Sequence, residues 1–419
     1  MDKTRSHDGR TDFSRRRLAD VVDRLTNGFV GPTRDIYVEE GLPYLLARHV
    51  RDGRLKFDRQ TFVSAVFNDR NKKSILKTGD VLLVQSGHIG HSAVVGVDHE
   101  GHNCHALIVI SPKQGLLCGE FLSYFFGSPE MRQLFGAIRS GSTVPHLTCA
   151  AVREILVPLP AITEQRRIVA ILDEAFEGIA SARANAKKNL QNARELYECQ
   201  LESLFASGDL KWPAQPLEKL ATILNGYAFK STDFQSDPGI RSIKITNVGV
   251  REFVDDAGNY LPAAFAQRHS GVTVTKGSIV LALTRTIIAG GLKVAVVPHD
   301  FDGALLNQRV AAIQPHAAEL EAPFLFAYLS SRRVMNYVKS RVNTLMQPNL
   351  SIGDLRRLPI PVPVLSEQRK LVETLAGLEE QTGRLEAVYI QKIDALDDLK
   401  RSLLHQAFTG QLGNATASG

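Results

Sequence analysis

The densest gathering of chemically active side chains in the sequence is His99-Glu-Gly-His102-Asn-Cys104-His105. Imidazoles, a thiol and a carboxylate are zinc-ligand types, and a structural zinc site draws them from two separated pairs of defined spacing. No second pair stands elsewhere, and the cluster reads better as a polar loop between strands than as a metal site. Ser86-Gly87-His88 and Ser140-Gly141-Ser142-Thr143 offer hydroxyls for nucleophilic attack. A serine nucleophile needs a base and an orienting group beside it; neither is identifiable, so both segments read as turns. There is no GxxxxGK(S/T) phosphate loop, no GxGxxG after a strand, no HExxH and no GxSxG elbow. The Asn/Asp-Pro-Pro-Tyr/Phe tetrapeptide by which amino-methyltransferases hold a base is also missing. The expectation is a chain with no catalytic residues, no metal and no cofactor of its own.

The 419 residues predict two to four structural units. With 44% hydrophobic and 22% charged residues, the chain has the make-up of an ordinary globular protein. A formal net charge of +6 permits a polyanionic partner without demanding one. Cys104, Cys118, Cys149 and Cys199 lie far apart with no CxxC pair, as expected of reduced thiols in the cytoplasm. Residues 1–16 are polar and basic without an apolar stretch, so a disordered segment is expected there and no secretory signal. No run of about 18 apolar residues predicts a membrane span. The small polar segment 413–419 reads as a flexible tail.

The elements that would position any site are written twice. Pro158-Leu-Pro160-Ala-Ile-Thr163-Glu164-Gln165-Arg166 returns as Pro361-Val-Pro363-Val-Leu-Ser366-Glu367-Gln368-Arg369. Pro145-His-Leu147-Thr148 returns as Pro348-Asn-Leu350-Ser351, and Asn27-Gly28 as Asn225-Gly226. Lys77-Thr-Gly79-Asp-Val-Leu-Leu83 returns as Thr275-Lys-Gly277-Ser-Ile-Val-Leu281. A period of about 200 residues is too long for a solenoid and marks a duplicated unit of globule followed by helix. Within the globules, short apolar runs such as residues 80–84, 93–97 and 106–110, echoed at 278–283, 292–297 and 309–313, predict strands. A helical stretch follows in each copy, residues 118–136 and 323–341.

After the paired prolines come long proline-free runs. Prolines hold the approach extended, Thr163 or Ser366 can cap the helix, and Glu164 or Glu367 suits its positive first turn. In the second copy Leu371, Leu375, Leu378, Thr382, Leu385, Tyr389, Lys392, Leu396, Leu399 and Leu403 follow alternating 4,3 spacing, the pattern of a coiled-coil seam. The first copy offers Ile168, Leu172, Ala175, Ile179, Ala182, Ala186, Leu190, Ala193, Tyr197 and Leu204. A helix of about 40 residues spans roughly 60 Å. Antiparallel pairing of the two would place the globules at opposite ends of a rod, related by a pseudo-twofold axis; the alternative is that each helix packs only on its own globule.

The text LVPLPAITEQRRIVAIL and its echo IPVPVLSEQRKLVETL, with GSTVPHL, NTLMQPNL, GDVLLVQSGHIGHSAVV and NQRVAAI, resembles the conserved regions of Type I restriction-modification specificity subunits, the HsdS family. The resemblance runs in order over nearly the whole chain. It implies an α+β protein: two mixed α/β target-recognition domains joined by two long antiparallel coiled-coil helices, as a pseudo-twofold internal repeat. The expected boundaries are target-recognition domains at 17–157 and 213–360, with conserved helical regions at 158–208 and 361–412. It further implies a non-catalytic subunit that binds double-stranded DNA, docks two N6-adenine methyltransferase subunits, and takes motor-nuclease subunits where a system has them. S-adenosylmethionine, ATP and Mg would then belong to those partners.

Each domain would read one half of a bipartite, asymmetric target, the halves about one helical turn, roughly 34 Å, apart. Base edges would supply specificity while Lys and Arg hold phosphates. The expected DNA contacts, from loops between strands, are Arg48, Arg51, Lys72, Lys73, Ser86, His88 and Arg139 in the first domain. In the second they are Lys244, Asn247, Arg285, Asn307, Arg309, Arg341 and Gln347. Each is also compatible with a solvated surface role. Thr284-Arg285-Thr286, standing where the first copy has Ser86-Gly87-His88, puts the equivalence of those loops in question. The expected partner contacts are Glu164, Gln165, Arg166, Glu367, Gln368 and Arg369, which can also serve helix initiation. Three other readings stay open: an orphan DNA-binding protein, a coiled-coil scaffold with two binding modules, and an enzyme with an unrecognised site.

Overall fold

The structure is a computed structural model that describes residues 13–51, 53–138, 146–208, 211–236, 238–256, 258–288, 290–341 and 349–412. The chain forms two compact units. Unit 1 comprises Met1–Lys187 together with Gln391–Gly419, and unit 2 is the continuous stretch Lys188–Ile390.

Each unit is built on a four-stranded antiparallel sheet of the same order. In unit 1 it runs Val22–Asn27, Leu107–Pro112, Val81–Val84, Ser92–Val94. In unit 2 it runs Ala221–Asn225, Val310–Pro315, Ile279–Ala282, Val294–Val296. Side chains alternate faces along a strand, and here both faces are buried, which is why the runs read as continuously apolar. Val81, Leu83, Ile108 and Ile110 pack towards the helix Gly119–Phe126, while Leu82, Val84, Leu107 and Val109 pack against Leu45, Val50 and Cys104. Unit 2 repeats the division, with Ile279, Leu281, Ala311 and Ile313 on one side and Val280, Ala282, Val310 and Ala312 on the other. A smaller sheet flanks each, containing the parallel pair Leu42–Leu45 with Asn103–Cys104 or Ile240–Ile243 with Ala304–Leu306.

Local chemistry explains most boundaries. The first proline of each pair, Pro158 or Pro361, ends a short strand, Leu156–Pro158 against Arg15–Arg17 and Pro359–Pro361 against Ala214–Pro216. Arg15 and Arg16, expected in a disordered segment, therefore belong to a strand. The helical stretch expected at 118–136 is two helices, Gly119–Phe126 and Pro129–Ile138, with buried Ser128 accepting from Met131 N–H at the restart. The stretch expected at 323–341 likewise divides into Ala322–Leu329 and Arg332–Arg341 at Ser331. The long helices run Ile162–Gly208 and Leu365–Phe408, so Thr163 and Ser366 lie inside the first turn instead of capping it.

The long helices are shared between the units. In unit 1 Arg183 pairs with Asp397 at 3.0 Å, and in unit 2 Arg194 pairs with Glu386 at 2.8 Å. Both pairs obey one antiparallel register, residue i facing residue 580 − i. The first helix buries its seam as expected, with Leu172, Ile179, Ala186 and Ala193 seven residues apart and all buried. The second departs from the expected seam: Leu385, Lys392 and Leu399 are exposed, and Glu386, Ile393 and Lys400 turn inward instead. The step Leu378, Thr382, Glu386 is 4,4 where the expected seam has 4,3; this stutter shifts the buried stripe by one residue, and the seven-residue spacing then resumes.

Each globule is closed by the start of one long helix and the end of the other. Phe408 packs edge-on against Phe121 and Phe125, centroids 5.1 and 5.3 Å away, in the same cluster as Ile168 and Leu172. Phe205 does the same for unit 2, 5.6 Å from Phe324 and 5.0 Å from Tyr328.

Candidate nucleic-acid interface

The expected partner-contact glutamines are buried where each long helix meets its globule. Gln165 is fully buried; its Oε1 accepts from Cys118 N–H at 2.9 Å, and its Nε2 donates to the carbonyls of Leu116 and Pro160, both 2.9 Å. Gln368 repeats this with Glu321 N–H, Glu319 and Pro363, all at 2.8 Å. A buried amide whose oxygen and both N–H groups are bonded inside its own unit locks its neighbours and presents no donor to a second chain. Gln165 and Gln368 therefore join each long helix to its globule and are corrected from partner contacts to internal clamps. Arg166 and Glu367 are exposed. Glu164 pairs with Arg167 at 2.8 Å and Arg369 with Glu321 at 2.7 Å, leaving both on the surface.

The expected DNA contacts separate similarly. In unit 1 Arg48 is exposed and donates to Thr61 Oγ1 at 2.8 Å, and Arg51 pairs with Asp58 at 3.2 Å. Lys72 and Lys73 are exposed on the short turn Lys72–Ser74. Arg24 holds that turn, donating to the carbonyls of Lys73 and Ile75 at 3.2 and 2.8 Å while its guanidinium pairs with nearly buried Asp80. Ser86 bridges His146, and exposed His88 lies against His91. Ser86 and His88 follow the strand Val81–Val84 whereas Lys72 and Lys73 precede it, so the structure does not gather the unit 1 candidates at one place.

In unit 2 one expectation is corrected. Asn247 is fully buried, its Oδ1 accepting from Lys244 N–H at 2.8 Å and its Nδ2 donating to Val254 carbonyl at 2.9 Å. It fixes a turn and cannot read a base. Lys244 is half-buried, donating to Asn259 at 2.5 Å above the Phe234 ring, and burial lowers its pKa. Arg285 and Arg309 are exposed, and their segments meet where Leu283 N–H donates to Arg309 carbonyl at 2.8 Å. Asn307, half-buried, borders the same edge and bridges Tyr227. Arg341 is exposed at the end of its helix, over Tyr337. Arg139 and Gln347 lie outside the described residues.

Sequence reasoning missed Tyr227, 48% exposed and stacked 4.3 Å from His269 beside Asn307. The signal was the repeated Asn-Gly: a Cβ on Gly226 would collide with the Asn307 carbonyl, and one on Gly28 with that of Cys104. Glycine there lets the chain pass a neighbouring strand closely.

The histidine-rich segment packs against aromatic rings. His99 lies against Phe57 and His102, and His105 against Phe29 and Tyr44. No group of three His, Cys, Asp or Glu side chains among the described residues is placed to hold a metal ion. Burial holds His49, His102 and His105 below the ordinary imidazole value and pushes the Cys104 thiol up to about 12. Near pH 6.5 the unfolded chain takes up protons that these buried rings resist. Stability is therefore whole above that pH and falls as pH drops below it. Lowering pH from about 7.5 to about 5.5 is expected to weaken unit 1 selectively. Hydrogen exchange in Leu107–Pro112 should rise while Trp212 fluorescence, which reports the unit 2 core, holds; simultaneous loss of both would refute this.

No helix among the described residues is long and apolar enough to cross a membrane. The Type I restriction modification DNA specificity domain model matches residues 11–191 and again 211–395. The type I restriction enzyme MjaVIII specificity subunit of Methanocaldococcus jannaschii is 23% identical over 416 residues, covering 94% of this chain and 92% of that one. A chain solved in work on complex assembly and conformational transition of the type I R-M system aligns with TM-score 0.76 at 20% identity, over 96% of this chain and 98% of that one. The HsdS subunit from Thermoanaerobacter tengcongensis aligns with TM-score 0.56 at 19% identity, over 96% and 97%. At such identities these two likenesses speak for the fold. Two matched stretches, one for each globule with its helix, place the chain in the Type I restriction modification DNA specificity domain family.

Proposed function

We propose that this chain is the DNA-reading, non-catalytic subunit of a cytoplasmic Type I restriction-modification complex. The observation that carries the proposal is a scaffold made twice, with the same sheet order and the same glutamine clamp, but with different loops at the strand ends. Identical frames with unlike loops suit two unlike half-sites. The proposal keeps Arg48, Arg51, Lys72, Lys73, Ser86, His88 and Arg139 for unit 1, and Lys244, Arg285, Asn307, Arg309, Arg341 and Gln347 for unit 2. Exposed Arg166, Glu367 and Arg369, with Glu164, remain for two N6-adenine methyltransferase subunits, and motor-nuclease subunits join where the system has them. S-adenosylmethionine, ATP and Mg fall to those partners.

Single-molecule sequencing of the native host genome, with and without this gene, tests the proposal. The expected result is loss of N6-methyladenine from one gapped, asymmetric motif on deletion. Unchanged methylation would overturn it in favour of an orphan DNA binder or a scaffold.

A further inference from the structure

One loop breaks the repeat. In unit 1 Val84 N–H donates to His91 carbonyl at 2.8 Å, closing a loop of residues 85–90; in unit 2 Ala282 N–H donates to Lys293 carbonyl at 3.1 Å, closing 283–292. The loops nonetheless begin identically. Leu147 N–H donates to Gln85 carbonyl and Leu350 N–H to Leu283 carbonyl, both at 2.8 Å, while Ser86 bridges His146 and Thr284 bridges Asn349. Thr284 is thus the counterpart of Ser86, which settles the equivalence the sequence left in question. The next position is Gly87 in unit 1, with φ +75°, and Arg285 in unit 2, with φ +49°.

Both residues are in the left-handed region, where a Cβ crowds its own backbone. Asn, Asp and His are the side chains enriched there; arginine is not among them. Among the described residues no side-chain partner repays the strain. The Arg285 side chain is exposed, and no ion pair among the described residues reaches it. Lys293 adds a second cation nearby, half-buried, with Nζ donating to Ile245 carbonyl at 2.6 Å. Its pKa is lowered by burial and, secondarily, by the charge of Arg285. A strained, uncompensated cation at a loop base points to a ligand that uses it.

We propose that Arg285 is the residue by which unit 2 selects a guanine in its half-site, forking onto the base's O6 and N7 in the major groove. Gly87 leaves unit 1 without this contact. The assignment rests on the DNA-reading function proposed above.

The test uses the full chain in complex with its methyltransferase subunits, in a host lacking N6-adenine methylation. Wild type, R285G and R285K are compared by single-molecule sequencing of host DNA and by thermal unfolding. R285G is expected to unfold at the same temperature or higher, because glycine adopts this φ freely. Its motif should lose one G in one half only, the preference for that letter falling roughly 10- to 100-fold. R285K, which keeps the charge without the fork, should relax the same letter. A wild-type motif left unchanged letter for letter by R285G overturns the assignment. So does uniformly weaker methylation of an unchanged motif, the mark of a phosphate contact, or a lower unfolding temperature with methylation lost throughout. A wild-type chain that directs no motif overturns the function and this assignment together.

Discussion

Replacing Phe408 with alanine is expected to destabilise unit 1 by about 3–5 kcal/mol and leave unit 2 nearly untouched. The residue is 3% exposed, wedged against Phe121 and Phe125 with Leu404 and Ala407 in the same cluster. Removing the ring costs its transfer free energy and opens a cavity that helix and sheet cannot readily close. Hydrogen exchange should accelerate in Val81–Val84 and Leu107–Pro112 while Ile279–Ala282 and Val310–Pro315 stay protected. Phe205→Ala should give the mirror result, loosening unit 2 from the helix that begins in unit 1. Equal loss of protection in both units from either substitution would contradict the shared-helix architecture.

Asp80→Ala is expected to cost about 3–5 kcal/mol, the penalty for stranding one member of a buried ion pair. The Asp80 side chain is 3% exposed and that of Arg24 23%. Asp80 also accepts from Ser111 at 2.5 Å and from Lys77 N–H at 2.8 Å. The corresponding residues of unit 2 are neutral, Thr222 and Ser278, with Gln314 donating to Ser278 at 3.2 Å. The double change Arg24→Thr with Asp80→Ser should therefore lose less in urea unfolding than Asp80→Ala alone. A double variant as unstable as the single would show that charge pairing is not what holds this corner. Because Arg24 also holds the Lys73 carbonyl, the double variant should loosen the Lys72–Lys73 turn, read as faster hydrogen exchange there.

The duplication was legible because glycines recur at an offset of 198 (Gly28 and Gly226, Gly79 and Gly277) and prolines and glutamine at 203 (Pro158 and Pro361, Gln165 and Gln368), and each performs the same task twice. The sheets were legible from apolar runs that are buried on both faces. The roles of Gln165, Gln368 and Asn247 were not, since a polar residue at a helix start or loop reads alike whether it faces solvent or three buried backbone groups. The seam on the second helix was half legible: the 4,3 spacing holds to Thr382, and the one-residue stutter after it, which leaves Leu385 and Leu399 outside, is marked by no residue type. The closure of each globule by Phe205 or Phe408 leaves no local pattern, because the contact joins residues far apart in the chain. Tyr227 with His269, and Arg24 behind the Lys72–Lys73 turn, are pairings of the same long-range kind.

The division of unit 1 by unit 2 also bears on how the molecule is made. Domains commonly fold in the order in which synthesis delivers them. Here that order is reversed, because residues 391–412 leave the ribosome after all of unit 2. The nascent chain can complete its second globule while the first still lacks Leu404, Ala407 and Phe408. Until they arrive, Phe121 and Phe125 present a bare apolar face that a chaperone must shield or a neighbouring nascent chain can capture.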